Sequence, residues 1–174
     1  MESRTSVRRI ACHLLEQGRT LPGFIGDISY AQSNRERYEG FCQALADAGK
    51  KVDSSLCLTT PLGIDTYREE IDTFLSSLSR MPDAFVCASD YVACILMQLL
   101  EKRGLRVPED VAVSGFDNNT EDLLAEHLTT VQVFNEELGA RLALQILYRI
   151  KYPNTPHEIT YLGTNVLYRD STGD

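Results

Sequence analysis

Residues 104–118 read GLRVPEDVAVSGFDN. Gly104 is a helix stop, since glycine enters the left-handed backbone at a helix end without steric cost. Residues 111–115 (VAVSG) are a short apolar run with no polar alternation. Such a run fits a strand covered on both faces, as in a parallel sheet, and is too short to form a helix. Phe116 and Asp117 follow at the carboxyl end of that strand.

The same pattern repeats outward from this point. Residues 84–88 (AFVCA) form a second continuous apolar run, with Asp90 read as the cap of a helix from 91 to about 103. That helix is apolar nearly all round, with Val92, Ala93, Ile95, Leu96, Met97, Leu99 and Leu100. Either both of its sides are buried in the fold or one side meets a second subunit. Residues 22–26 (PGFIG) and 56–58 read as further strands. Residues 3–17 carry a helical stripe of Val7, Ile10, Leu14 and Leu15, stopped by Gly18. Ser33 with Glu36, and Thr66 with Glu69, have capping-box spacing and open two more helices. Beyond residue 128, residues 129–133 look extended and Asn135 caps a last long helix, with Leu138, Leu142, Ile146 and Ile150 as its inner face. Residues 160–162 and 165–168 read as an extended pair around Gly163. The order α-β-α-β-α-β-α-β implies an α/β, doubly wound parallel sheet with helices on both faces.

Composition narrows the function. The 174 residues carry a net charge of −8, which opposes direct contact with a phosphate backbone. The doublets Arg8-Arg9 and Lys50-Lys51 read as solvated helix ends. Five cysteines lack the spacing of a metal knuckle or a redox pair and read as small buried hydrophobes in a reducing compartment. The opening residues form neither a signal peptide nor a membrane span. His13, His127 and His157 are scattered, with no metal-ligand spacing. No dinucleotide fingerprint, phosphate loop or nucleophile elbow is present, so an enzyme is not expected.

In an open parallel sheet, ligands bind beyond the carboxyl ends of the strands. The residues at that edge are Asp27 after the first strand, then Asn34, Arg35 and Arg37 at the next helix start, Ser89 and Asp90 after the third, and Asp117, Asn118 and Asn119 after the fourth. Carboxylates, amides and guanidinium groups together suit a neutral polyhydroxyl ligand. Asp90 also reads as a plain helix cap, and Asn118 and Asn119 as turn formers.

Several stretches together resemble the C-terminal part of LacI/GalR-family transcriptional regulators. They are Arg37-x-x-Gly40-Phe41 with Ala44-Leu45, Pro82-Asp83-Ala84-Phe85 leading to Ser89-Asp90-x-x-Ala93, the 104–118 run itself, Leu128-Thr129-Thr130-Val131, Leu138-Gly139 and Arg169-Asp170-Ser171-Thr172. The resemblance implies a type I periplasmic-binding-protein-like fold with one lobe nearly complete over residues 1–133. Residues 134–152 would be a helix of the other, missing lobe, and residues 153–174 a terminal extended segment. The N-terminal helix-turn-helix of the family is absent from this sequence. By the same resemblance, Arg37, Ser89, Asp90 and Asp117 bind a small-molecule effector, a sugar or a relative of one. Ile95, Met97, Leu123 and Leu124 fall on a homodimer interface. Operator DNA is reached only through the missing N-terminal domain, the location is cytoplasmic, and no cofactor, metal or membrane is involved. Three departures accompany the resemblance. Ser89 stands where the family usually has asparagine, Val133 stands near where some members place a polar contact residue, and the loop 62–65 lacks the aromatic that relatives often place there. A sugar-binding protein of a transport system shares the fold and is the alternative.

Overall fold

The computed structural model describes residues 1–63, 65–118 and 123–174, without the side chains of Leu123 and Ala125. The turn reading of Asn119 and the interface reading of the Leu123 side chain lie outside the described residues. Five helices, α1 (Arg4–Glu16), α2 (Gln32–Asp47), α3 (Tyr67–Ser77), α4 (Asp90–Lys102) and α5 (Asn135–Lys151), are described, with strands β1 (Pro22–Ile25), β2 (Cys57–Leu58), β3 (Ala84–Cys87), β4 (Ala112–Ser114), β5 (Thr130–Gln132) and β6 (Asn165–Leu167).

Strands β2, β1, β3 and β4 form one sheet in that order, every pair parallel. Successive side chains of a strand point to opposite faces, and β3 displays this fully. Phe85 and Cys87 enter a core with Ile71 and Leu75 of α3 and Val92, Leu96 and Leu100 of α4. Ala84, Val86 and Ala88 enter the other core, with Val7, Ile10 and Leu14 of α1 and Phe41 and Leu45 of α2. Both faces of the strand are therefore dry, which is why its sequence is continuously apolar. Phe24 and Phe85, fully buried on opposite faces, contribute about 1.5–3 kcal/mol each. The sharp approach of α1 to α2 needs Gly40, where a Cβ would lie 2.2 Å from the Arg4 carbonyl oxygen.

The free edge of β4 continues into β5 through parallel bridges at Ser114–Thr129 and Asp117–Gln132. β5 in turn pairs antiparallel with β6. The extended pair expected between residues 160–162 and 165–168 does not form. β6 takes β5 as its partner, and the Leu162 carbonyl instead accepts from the Glu2 N–H at 2.7 Å.

Local expectations were corrected in four further places. The helix expected to open at Ser33 begins at Gln32 after Ala31, which is extended and offers no capping side chain. Thr66 precedes α3 without capping it; its hydroxyl bonds the Glu70 carboxylate, as the Gly63 N–H does at 3.1 Å. The cap of α4 is Ser89, whose hydroxyl accepts from the Val92 N–H at 3.3 Å, and Asp90 is the first helical residue. The expected inner face of α5 is not covered: no residue of that helix is buried, and Leu142, Ile146 and Ile150 are exposed. Most of α4 is apolar because it packs within this chain. Ile95 is only 7% exposed and belongs to the core, whereas Met97 and Leu124 pack on it half-buried.

Candidate functional site

The carboxyl ends of β1, β3 and β4 bring Asp27, Ser89 and Asp117 to one edge, and α2 sends Arg37 in from the side. Arg37 is 4% exposed. Its Nη1 donates to the Ala88 carbonyl and its Nη2 to Asp117 Oδ1 at 3.1 Å. The guanidinium carbon lies 3.7 Å from the centroid of the Phe116 ring. Phe116 thus supplies a cation–π floor for a buried charge. Burial pulls the Arg37 pKa below its ordinary value, against the opposing pull of Asp117, Asp90 and Glu36. The Arg37 Nε is buried with no hydrogen-bond partner.

Asp117 is the exposed half of this pair, with 39% of its side chain in solvent against 5% for Arg37. Burial raises its carboxyl pKa, and the Arg37 charge and hydrogen bond only partly offset that. Its backbone has φ 108° and that of Asn118 has φ 50°, both in the positive region that favours glycine. The pair of turns re-aims the chain at the end of β4. The Asp117 N–H donates to the Val131 carbonyl at 3.1 Å. The Asn118 amide donates to Gln132 Oε1 at 2.6 Å and accepts from Arg169 Nη2 at 2.9 Å.

The other expected residues take different places. Ser89 is half-buried and holds the start of α4. Asp90 is 2% exposed and faces inward, its N–H donating to the Phe116 carbonyl at 2.8 Å and its Oδ1 accepting from the Thr130 hydroxyl at 2.5 Å. It ties α4 to the ends of β4 and β5. Asp27 is buried and structural: its carboxylate accepts from the Ser29 N–H at 2.8 Å, the Ser29 hydroxyl at 2.6 Å, the Tyr30 N–H at 3.1 Å and the Leu62 N–H at 3.4 Å. Asn34 donates to the Asp27 carbonyl at 2.9 Å, and Arg35 is exposed on the first turn of α2.

Reading the sequence did not identify Phe116, Thr130, Gln132 and Arg169 as parts of this edge. Phe116 was adjacent to the predicted carboxylate, but its partner Arg37 is 79 positions earlier and nothing local links the two. Among the described residues no cluster of His, Cys, Asp and Glu could hold a metal ion. No helix of the described residues is long and apolar enough to cross a membrane. The edge gathers hydrogen-bonding groups around the charge pair Arg37–Asp117.

Comparison with known proteins places this geometry. The periplasmic binding protein-like domain family matches residues 11–172. The HTH-type transcriptional regulator DegA of Bacillus subtilis (strain 168) is 36% identical over 132 residues, covering 75% of this chain and 38% of DegA. The HTH-type transcriptional regulator CelR of Thermobifida fusca is 31% identical over 170 residues, covering 94% of this chain and 48% of CelR. A solved complex of a transcriptional regulator CelR with cellobiose superposes with a TM-score of 0.88 at 28% identity, covering 98% of this chain and 52% of that one. The chain spans about half or less of the length of these relatives. Its match across residues 11–172, the motif at residues 104–118 and the strand-end pair Arg37–Asp117 make this chain a member of the periplasmic binding protein-like domain family, in the form found in LacI-type transcriptional regulators.

Proposed function

We propose that this chain is the effector-sensing and dimerising part of a LacI-type transcriptional repressor that responds to a small sugar-like ligand. Residues 1–133 form the C-terminal lobe of the sensor. The helix 134–152 belongs to the opposite lobe, which fits its uncovered apolar face and the groove of about 510 Å³ beside it, lined by Ile146, Tyr148, Ile150, Pro153 and Pro156. Operator DNA is bound by a separate N-terminal domain, and no reaction is catalysed.

One observation carries this reading. The exposed carboxylate of Asp117 sits where a ligand between two lobes would meet it, and its backbone is bonded directly to β5, which leads into α5. Asn118 adds a second bond to the same strand. A ligand held by Asp117, Arg37 and Ser89 would therefore act on the chain segment that passes between lobes, with Asp90 holding the framework from behind. Three passages of chain run side by side here: residues 1–3 against 162–164, and β5 against β6. Ligand binding would shift the population of lobe arrangements through these passages. The two half-buried side chains Met97 and Leu124, next to buried Ile95, form the centre of a homodimer contact in the cytoplasm. The complex of CelR with cellobiose supports a sugar as the ligand class.

The test is operator affinity measured with and without sugars, on a regulator polypeptide carrying this chain and on its Asp117→Ala variant. Wild-type affinity changes with one sugar, and the variant keeps operator binding but loses the response. An Asp117→Ala variant that responds like wild type would remove the site assignment.

A further inference from the structure

Asp117 and Asn118 sit in succession at φ 108° and 50°, and neither is glycine. Such backbone persists only where the surroundings over-determine it. Three bonds fix Asn118. Its N–H donates to the Thr130 hydroxyl at 3.3 Å, its amide nitrogen donates to Gln132 Oε1 at 2.6 Å, and its Oδ1 accepts from Arg169 Nη2 at 2.9 Å. Arginine can only donate, so Arg169 dictates which end of the amide faces it. Gln132 is oriented in the same sense, since its Nε2 donates to the Val133 carbonyl at 2.9 Å. The donors therefore run one way, from Arg169 through Asn118 and Gln132 to the backbone just beyond β5.

Arg169 is itself anchored, two residues after β6. Its Nη1 donates to the Leu128 carbonyl at 3.0 Å and its N–H to the Thr129 hydroxyl at 2.7 Å. The residues that follow are clasped to the same part of the sheet. The buried Ser171 hydroxyl accepts from the Thr129 N–H at 2.8 Å and donates to the Val113 carbonyl at 2.7 Å. The Thr172 and Thr129 hydroxyls meet at 2.6 Å. His127 lies 2.6 Å from the Asp170 carboxylate, and His13 of α1 lies 2.9 Å from that of Asp174.

We propose that Arg169 is a positioning residue for Asp117: anchored in this clasp, it locks Asn118 in the left-handed backbone and so aims the Asp117 carboxylate at Arg37 and the open edge of the sheet. The proposal rests on the effector reading above for the use of that carboxylate, and it names what holds the carboxylate in place. A guanidinium is required, not merely a cation. Its two Nη atoms diverge and reach Leu128 and Asn118 at once, whereas a lysine ammonium offers a single nitrogen to both. Arg169 acts through Asn118 and not by its charge, because Arg37 is the cation that acts on Asp117.

The experiment is a carbon-detected NMR titration of the Asp117 carboxyl in this chain, for wild type, Arg169→Lys, Arg169→Met and Asn118→Ala, with urea denaturation of each. In wild type, burial holds the Asp117 pKa above the ordinary carboxyl value. Both Arg169 variants free the turn and let the carboxylate swing into water, so its titration moves down towards the ordinary value of about 3.9. Loss of a nearby cation would by itself move it up, so the direction separates relaxation from charge removal. Asn118→Ala leaves Arg169 its bond to Leu128 and gives the same downward shift. It carries the test if an Arg169 variant does not fold.

Variants that lose stability but keep the wild-type Asp117 titration make Arg169 a structural residue only and overturn the proposal. A shift in Arg169→Met that Arg169→Lys does not share, or an upward shift, assigns the effect to charge and also overturns it. So does a wild-type titration in Asn118→Ala. No ligand enters the measurement, so it judges the positioning role apart from the effector reading, which the operator-affinity measurement judges.

Discussion

Arg37 Nη2 and Asp117 Oδ1 meet at 3.1 Å across 80 residues of chain, with the cation 5% exposed and the carboxylate 39%. The pair is asymmetric, and the asymmetry separates fold from function. Arg37→Met leaves the Ala88 carbonyl without its donor and Phe116 without its cation, and should cost about 2–3 kcal/mol. Asp117→Asn should change stability by less than about 0.5 kcal/mol, because the raised pKa of Asp117 means that the fold does not favour its charge. Urea denaturation of both variants at pH 7 measures this. The reverse ranking would make Asp117 a structural residue.

The backbone of Asp117 gives a related expectation. At φ 108° a side chain is strained and glycine is not. Asp117→Gly should therefore be more stable than Asp117→Ala by roughly 1 kcal/mol. Equal stabilities would mean that this conformation relaxes without cost.

The buried carboxylate Asp27 and the partly exposed Asp117 should titrate with opposite signs. Burial pushes Asp27 up, but hydrogen bonds from Ser29, Leu62 and Tyr30 outweigh it and leave its pKa below the ordinary value. Its contribution is present above the unfolded value of about 3.9 and is lost as pH falls through the lower folded value. The stability gap between wild type and Asp27→Asn should thus narrow from pH 7 towards pH 2. Asp117 has a raised folded pKa, so its contribution is present below about 3.9 and is lost as pH rises through the folded value. The gap between wild type and Asp117→Asn should move in the opposite direction over that window. A gap for Asp27→Asn that is flat with pH would show that its hydrogen bonds do not favour the charged form.

Neighbours on α4 should behave differently. Ile95→Ala opens a cavity in the core and should cost about 2–4 kcal/mol. Met97→Asp, on a half-buried side chain packed on that core, should lower the melting temperature modestly and convert the proposed dimer to monomers in sedimentation. A Met97→Asp protein that sediments as wild type would move the dimer contact elsewhere.

The exposed stripe of α5 gives a last expectation. Leu142→Glu with Ile146→Glu should alter the unfolding free energy by no more than about 0.5 kcal/mol and should reduce self-association of the chain at high concentration. A large loss of stability would mean that α5 packs on a surface of this chain in solution.

Much of the architecture was legible because strands and helices have local periods. The runs 22–25, 84–87 and 112–114 are buried at every position and apolar at all but Ser114, since both faces of the sheet are covered, and the same fact predicts helices on both sides. Arg37 and Asp117 were also recognisable, from the strand-end rule and from the motifs they belong to. Helix starts were read less well. Capping-box spacing nominated Ser33 and Thr66, and position before a helix nominated Asp90, but α2 begins at Gln32 after Ala31, Thr66 makes no cap bond and the cap of α4 is Ser89. A capping oxygen is chosen by backbone direction, which the surrounding packing sets.

The sequence by itself determined an α/β parallel sheet, the edge where Asp27, Arg37, Ser89 and Asp117 collect and the family to which the chain belongs, because these follow from short-range apolar patterns and contiguous motifs. Tertiary structure alone decided that Phe116 lies under Arg37, that Asp90 turns inward to Thr130 and that β6 pairs with β5. It also decided that Ile95 is core and the α5 stripe is uncovered. Those outcomes depend on which distant segments the crossovers bring together, and no local pattern of polarity encodes that choice.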